Sequence, residues 1–168
     1  MNMAQIALKG NPINTNGNLP SVGSKAPDFS LVDNDLARIT LAELKGKKKL
    51  LNIVPSLDTP VCATSTKKFN DTAATREDVA VLTISADLPF AQKRFCVAEN
   101  TDKVKTLSMM GDRKFAESYG MLITDGPLAG VSGRAVVVLD EDDKVTYTEL
   151  VPEITQEPDY EKAIAALG

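Results

Sequence analysis

Two cysteines, Cys62 and Cys96, and a complete lack of histidine bound the chemistry open to this chain of 168 residues. Without His there is no Ser-His-Asp or Cys-His relay to activate a nucleophile, and the commonest metal ligand is missing. Two cysteines alone cannot close a Cys₄ or Cys₂His₂ zinc site within one chain, so neither a metal nor a cofactor is expected. What remains is sulfur, as redox chemistry or as packing. Two unrelated buried thiols would behave as small hydrophobes. A permanent Cys62–Cys96 disulfide would close a loop of about 35 residues and add roughly 4 kcal/mol in the chain-entropy account. A reactive pair would be a redox couple. Cysteine count leaves all three open.

The residues before Cys62 say more. In Asn52-Ile53-Val54-Pro55-Ser56-Leu57-Asp58-Thr59-Pro60-Val61-Cys62, an apolar strand ends at Pro55, a short loop follows, and a helix opens with Thr59 at the N-cap and Pro60 at N1. Cys62 then falls at N3, in the first helical turn. Backbone N–H groups there lack intrahelical partners, and that end of the dipole carries about +0.5 charge. A free cysteine is only a few per cent thiolate at neutral pH, and a helix N-terminus favours the anion. With no His, a helix terminus together with an Arg is the remaining means of activating the sulfur. Taken residue by residue, Thr59 is simply an N-cap, Pro55 a strand end and Arg134 a charged residue at a strand start.

The elements that would carry these residues alternate. Gln5–Leu8 and Ile13–Thr15 flank Lys9-Gly10-Asn11-Pro12, a hairpin pattern. Short strands are expected at Phe29–Val32 and Arg38–Thr40, and Thr40 with Glu43 matches a capping box opening one helical turn. The run Lys45-Gly46-Lys47-Lys48-Lys49 is expected to be a solvated turn. Leu50–Val54 and Val79–Ser85 are apolar strands of the kind buried in a parallel sheet. Helices are expected from Pro60 to about Ala74, over Pro89–Val97, and over Arg113–Tyr119, closed by Gly120. Val104–Leu107 is a strand, and Ala135–Leu139 with Val145–Val151 a hairpin across the acidic turn Asp140–Asp143. Thr155 or Glu157 with Pro158 opens a final helix through Leu167. This order predicts a single α/β domain over 1–168, a thioredoxin-like fold with a central mixed β-sheet flanked by helices and an N-terminal β-hairpin extension over 1–18.

Nineteen basic against 23 acidic residues give a net charge of −4, which argues against nucleic-acid and anionic-membrane partners. The N-terminus lacks a basic stretch followed by a long apolar one, and the longest clean apolar run, Ala135–Leu139, is far short of the ~20 residues a membrane span needs. A cytoplasmic protein is expected, where disulfides are mostly transient or catalytic. The glycine-rich stretch Gly126–Gly133 fits neither a dinucleotide nor a Walker loop and is expected to be flexible. The acidic turn lacks the pattern of a calcium loop. Met109-Met110 suits core packing, and the Asn70-Asp71-Thr72 sequon falls within a helix.

Pro55-x-x-x-Thr59-x-x-Cys62 resembles the active-site motif of the peroxiredoxins. The segment from Ser85-Ala86-Asp87 to Arg94-Phe95-Cys96 resembles the one that carries the second cysteine in the atypical two-cysteine, thiol peroxidase branch of that family. Asp125–Gly130, Arg134–Val138 and Glu153–Tyr160 agree in order and spacing, so the resemblance spans essentially the whole chain. It departs at Val97, where many relatives carry Gly, and at Thr83, where some carry a third cysteine.

The resemblance implies that Cys62 is the peroxidatic cysteine and Cys96 the resolving one, with Thr59, Pro55 and Arg134 completing the site. Thr59 would hold the thiolate and the peroxide, Pro55 would shield them from water, and Arg134 would supply fixed positive charge. It further implies hydroperoxide substrates, including alkyl and lipid hydroperoxides and hydrogen peroxide, an intramolecular disulfide reduced by thioredoxin, and a homodimer. Leu57, Val61 and Phe90 are apolar residues that suit an alkyl substrate. A disulfide needs Cα atoms within about 7 Å, so joining two helical cysteines is expected to require local unwinding of Pro89–Val97 or of the turn at Cys62. The competing expectations are a thiol–disulfide relay that never meets peroxide, disfavoured by the lack of a C-x-x-C motif, and a disulfide-stabilised interaction domain.

Overall fold

The computed structural model describes residues 3–168. The first two residues of the expected 1–18 extension lie outside the described residues. The hairpin forms from β1 (Gln5–Leu8) and β2 (Asn11–Asn14) as a separate two-stranded sheet. Its turn is only Lys9-Gly10, because Asn11 and Pro12 already pair with Leu8 and Ala7. Both turn residues have positive φ, 50° and 80°, which matches the twist of the flanking strands.

The main sheet holds β3 (Leu31–Val32), β4 (Arg38–Ile39), β5 (Lys48–Ile53), β6 (Val79–Ser85), β7 (Lys105–Ser108), β8 (Ala135–Leu139) and β9 (Val145–Leu150), in the order β4-β3-β7-β6-β5-β8-β9. β5, β6 and β7 run parallel, while β8 and β9 are antiparallel. The helices are α1 (Pro60–Thr75), α2 (Pro89–Glu99), α3 (Lys114–Ser118) and α4 (Tyr160–Ala165).

The crossovers β5–α1–β6 and β6–α2–β7 step the same way across the sheet, so right-handedness puts α1 and α2 on one face. The return from β7 to β8 carries α3 over the other. The cores agree. Phe69 of α1 and Ala163 of α4 pack with Leu50, Val81, Val136 and Val138. Phe115 of α3 packs with Leu51, Ile53, Leu82 and Val137, the alternate residues of the same strands. The expected mixed sheet with flanking helices is present.

Three local expectations fail. Lys49 is not part of a solvated turn: β5 begins at Lys48, and Lys49 is 0% exposed with its Nζ 2.5 Å from Asp143 Oδ1. Its aliphatic stem lies in the core and its ammonium meets the acidic turn between β8 and β9. The last helix starts at Tyr160, capped by Asp159, whose carboxylate accepts from Lys162 N. Thr155 and Glu157 do not open it, because their side chains bond Glu153 and Tyr160 instead. The glycine-rich loop is laced down, with Ile123 N donating to Val131 O, Gly133 N to Met121 O, and Arg113 Nε to Gly130 O. Gly120 does close α3, at φ 69°, and a Cβ there would lie 2.1 Å from Asn18 O.

Candidate active site

β5 continues its parallel pairing one residue past its end, with Val54 N donating to Ile84 O. Pro55 then has no N–H to offer and ends the ladder. The chain turns through Ser56-Leu57-Asp58, and α1 opens with Thr59 at the N-cap and Pro60 at N1, so Cys62 occupies N3 as expected. Cys62 is 0% exposed and packs with Val54 and Leu57, with Phe95 of α2 against them.

Arg134 immediately precedes β8. Because β8 pairs antiparallel with β5, Ala135 opposite Ile53, residue 134 arrives over the C-terminal end of β5, where the loop to Cys62 begins. Its Nη1 donates to Cys62 Sγ at 3.2 Å, its Nε donates to Ile154 O at 2.9 Å, and the side chain is 1% exposed. A buried guanidinium is costly unless a negative group faces it. The sulfur is in that place, and the first turn of α1 adds its own positive end. The geometry suits a nucleophilic sulfur anion in a water-poor pocket.

Pro55 is buried at the end of β5. Thr59 is half-buried, and its hydroxyl donates to Ser56 O at 3.1 Å. Among the described residues no hydrogen bond joins it to Cys62, so one hydroxyl proton is committed to the loop rather than to the sulfur. Leu57 and Val61 flank Cys62, but Phe90 is 64% exposed on α2. Phe95, rather than Phe90, is the aromatic residue packed against the Cys62 cluster.

Cys96 lies in α2, half-buried, with Sγ 3.6 Å from Thr106 Oγ1 on β7. Both cysteines are free. Their neighbours Thr106 and Arg134 belong to β7 and the lead into β8, three strand steps apart, or roughly 14 Å at ~4.8 Å per step. Bonding the two sulfurs therefore requires local rearrangement.

Several contributors carried no signal of their own in the sequence. Asp87, between β6 and α2, accepts from Ser56 Oγ (2.7 Å), Leu57 N (2.7 Å) and Ser85 Oγ (2.6 Å). It ties the loop before Cys62 to the start of the helix bearing Cys96. Below α1, Ser65 Oγ donates to Cys62 O, and Asn52 Nδ2 reaches both Ser65 Oγ and Thr83 Oγ1. This buried strut fixes the first turns of α1 to β5 and β6. Tyr160 donates to Glu157; burial first, then Glu157, holds its phenol above the usual range and hence neutral. A cleft of about 360 Å³ opens between the Leu57-Asp58 loop and the Ala91, Arg94 and Phe95 face of α2.

The Redoxin family model matches residues 21–164. A thiol peroxidase of Mycobacterium tuberculosis is 57% identical over 166 residues, covering 99% of each chain. The crystal structure of a peroxiredoxin-like protein from Aquifex aeolicus superposes with a TM-score of 0.92 at 44% identity, covering 99% of this chain and 98% of that one. A thiol peroxidase from Chromobacterium violaceum shares the fold at TM-score 0.91 and 22% identity, covering 99% and 97%.

Proposed function

Because the chain belongs to the Redoxin family, as a peroxiredoxin of the thiol peroxidase type, we propose that its thiol-dependent peroxidase reaction starts at Cys62 and is completed by Cys96. The observation that carries the assignment is the 3.2 Å contact from Arg134 Nη1 to Cys62 Sγ at the opening of a helix. The Cys62 thiolate attacks the terminal oxygen of a hydroperoxide. An S–O bond forms, the O–O bond breaks, and the departing alkoxide takes a proton from solvent to give an alcohol, or water when the substrate is hydrogen peroxide. Cys62 is left as a sulfenic acid. Arg134 stabilises the attacking anion and the charge that develops on the leaving oxygen. Pro55 keeps water from the sulfur. Thr59, by breaking its bond to Ser56, can turn its hydroxyl to the peroxide.

The Cys96 sulfur then attacks the sulfenic sulfur, forming the disulfide and releasing the hydroxyl as water. Two electrons from a thioredoxin dithiol restore both thiols. The apolar surroundings of Cys62, namely Val54, Leu57 and Phe95, favour alkyl and lipid-derived hydroperoxides alongside hydrogen peroxide. The exposed apolar side chains Leu88 and Phe90, at 52% and 64%, support a homodimer. Among the described residues no helix is long and apolar enough to cross a membrane; a cytoplasmic location is proposed because a transient, catalytic disulfide suits that compartment. The thiol–disulfide relay draws no support from the relatives.

Following NADPH loss with thioredoxin, thioredoxin reductase and cumene hydroperoxide tests this assignment. Cys62→Ser abolishes peroxide loss. Cys96→Ser consumes about one equivalent and leaves a sulfenic acid that dimedone traps. Turnover of disulfides without peroxide loss in the parent protein would overturn it.

A further inference from the structure

The hairpin β1–β2 precedes the stretch that the Redoxin model matches, yet its contacts end at the catalytic arginine. Arg134 Nε is held by one carbonyl, Ile154 O. Ile154 is in turn held by the hairpin: its N donates to Ala7 O, and Ala7 N donates to Pro152 O, a short parallel bridge centred on Ala7 and Glu153. The side chain of Ile154 packs with Ile6 and Ile13. Glu153 locks the register, because its two carboxylate oxygens accept from the consecutive turn amides Lys9 N and Gly10 N, each at 3.0 Å. Those amides converge only because both turn residues have positive φ. From the other side, a Cβ on Gly133 would lie 3.2 Å from Ile6 Cδ1, so the hairpin also bears on the residue before Arg134.

We propose that the N-terminal hairpin is a positioning element of the active site, and that Glu153, gripping its turn, is the positioning residue that aims Arg134 at Cys62. The inference rests on the peroxidase assignment, and it concerns how the guanidinium is oriented. An arginine held at Nε by a fixed carbonyl cannot swing about its last torsions, so Nη1 is kept on the sulfur. When the 152–154 segment lifts, the carbonyl leaves with it and the buried cation is free to turn away. Misplacement by about 1 Å far from the reacting atoms can cost up to ~100-fold. The two backbone amides hold the Glu153 carboxyl down at about 2, so the grip persists throughout neutral and mildly acid conditions.

The test is a double-mutant cycle on single-turnover loss of cumene hydroperoxide, with reduced protein in excess. Glu153→Ala should slow the reaction about tenfold. Glu153→Gln, which can still accept one of the two N–H groups, should slow it about threefold. In an Arg134→Ala background both changes should have no further effect, since a residue acting through Arg134 has nothing left to orient. Thermal unfolding of each variant identifies loss of fold, and if Glu153→Ala does not fold, the Glu153→Gln pair decides. Equal rates for Glu153→Gln and parent, or the same slowing with and without Arg134, would overturn the proposal. A parent protein that consumes no hydroperoxide would instead overturn the peroxidase assignment.

Discussion

Replacing Asp87 by Asn isolates the tie between the two cysteine-bearing segments. The carboxylate accepts three hydrogen bonds, from Ser56 Oγ, Leu57 N and Ser85 Oγ. An Asn can keep the pattern, with its oxygen toward Leu57 N and Ser85 and its amide toward Ser56, whose hydroxyl rotates to accept. What is lost is charge assistance, about 1 kcal/mol for each bond. Asp87 is half-exposed, and solvent screening reduces the sum of about 3 kcal/mol by roughly half. A loss near 1.5 kcal/mol raises the population of the open segments about tenfold. Hydrogen exchange in residues 56–62 and 89–96 of the reduced protein should therefore quicken by about that factor, while 79–84 in β6 is unchanged. Disulfide formation from the sulfenic acid should quicken in parallel, leaving less Cys62 to be over-oxidised by excess peroxide. Faster exchange in only one of the two segments, or an unchanged rate of disulfide formation, would refute the idea that Asp87 couples them.

Val97→Gly changes a side chain that is 76% exposed, so only helix propensity shifts, by about 0.4 kcal/mol; disulfide formation should be about twofold faster in stopped-quench experiments, and no change would remove α2 unwinding from that step. Phe69→Ala deletes a fully buried ring stacked edge-on with Tyr160 at 5.2 Å; it should cost about 3–5 kcal/mol and lower the melting temperature by roughly 10–15 °C in calorimetry. The Glu153 carboxyl is held at about 2, below its ordinary 4.5, by Gly10 N and Lys9 N. Its stabilisation is present above about pH 4.5 and is lost as pH falls toward 2, so the Lys9 and Gly10 amides should lose protection across that window, and Glu153→Gln should abolish the transition.

Much of the fold was legible because its strands are either continuously apolar, like Val79–Ser85, or punctuated by turn residues, like Lys9-Gly10. The places where expectation and structure differ share one cause: a local pattern is overruled by a partner outside it. The lysine run around Lys49 has the pattern of solvated charge, but β5 lies beside the acidic turn that ends in Asp143. The glycines of Gly126–Gly133 suggest flexibility, but backbone bonds to Met121 and Ile123 fasten the loop. The final helix starts late because Glu157 is engaged by Tyr160 and Lys68. In the site, Cys62 could be placed from its flanks, since Pro55, Thr59 and Pro60 act within a few residues. Asp87 and Phe95 stood inside a segment noted for Cys96 alone.

Sulfur as the only available nucleophilic redox group, its seat in the first turn of a helix, and the α/β order of elements follow from composition and near-neighbour chemistry, which any stretch of chain carries with it. The meeting of Arg134 with Cys62 does not, because 72 positions separate them and only the antiparallel pairing of β8 with β5 brings them together. The same holds for the hold of the hairpin on Glu153, 144 positions from Lys9, and for the separation of Cys96 from Cys62 across the sheet. Distances between remote residues are set by sheet order and crossover handedness, which belong to the packed molecule as a whole and to no local run of residues.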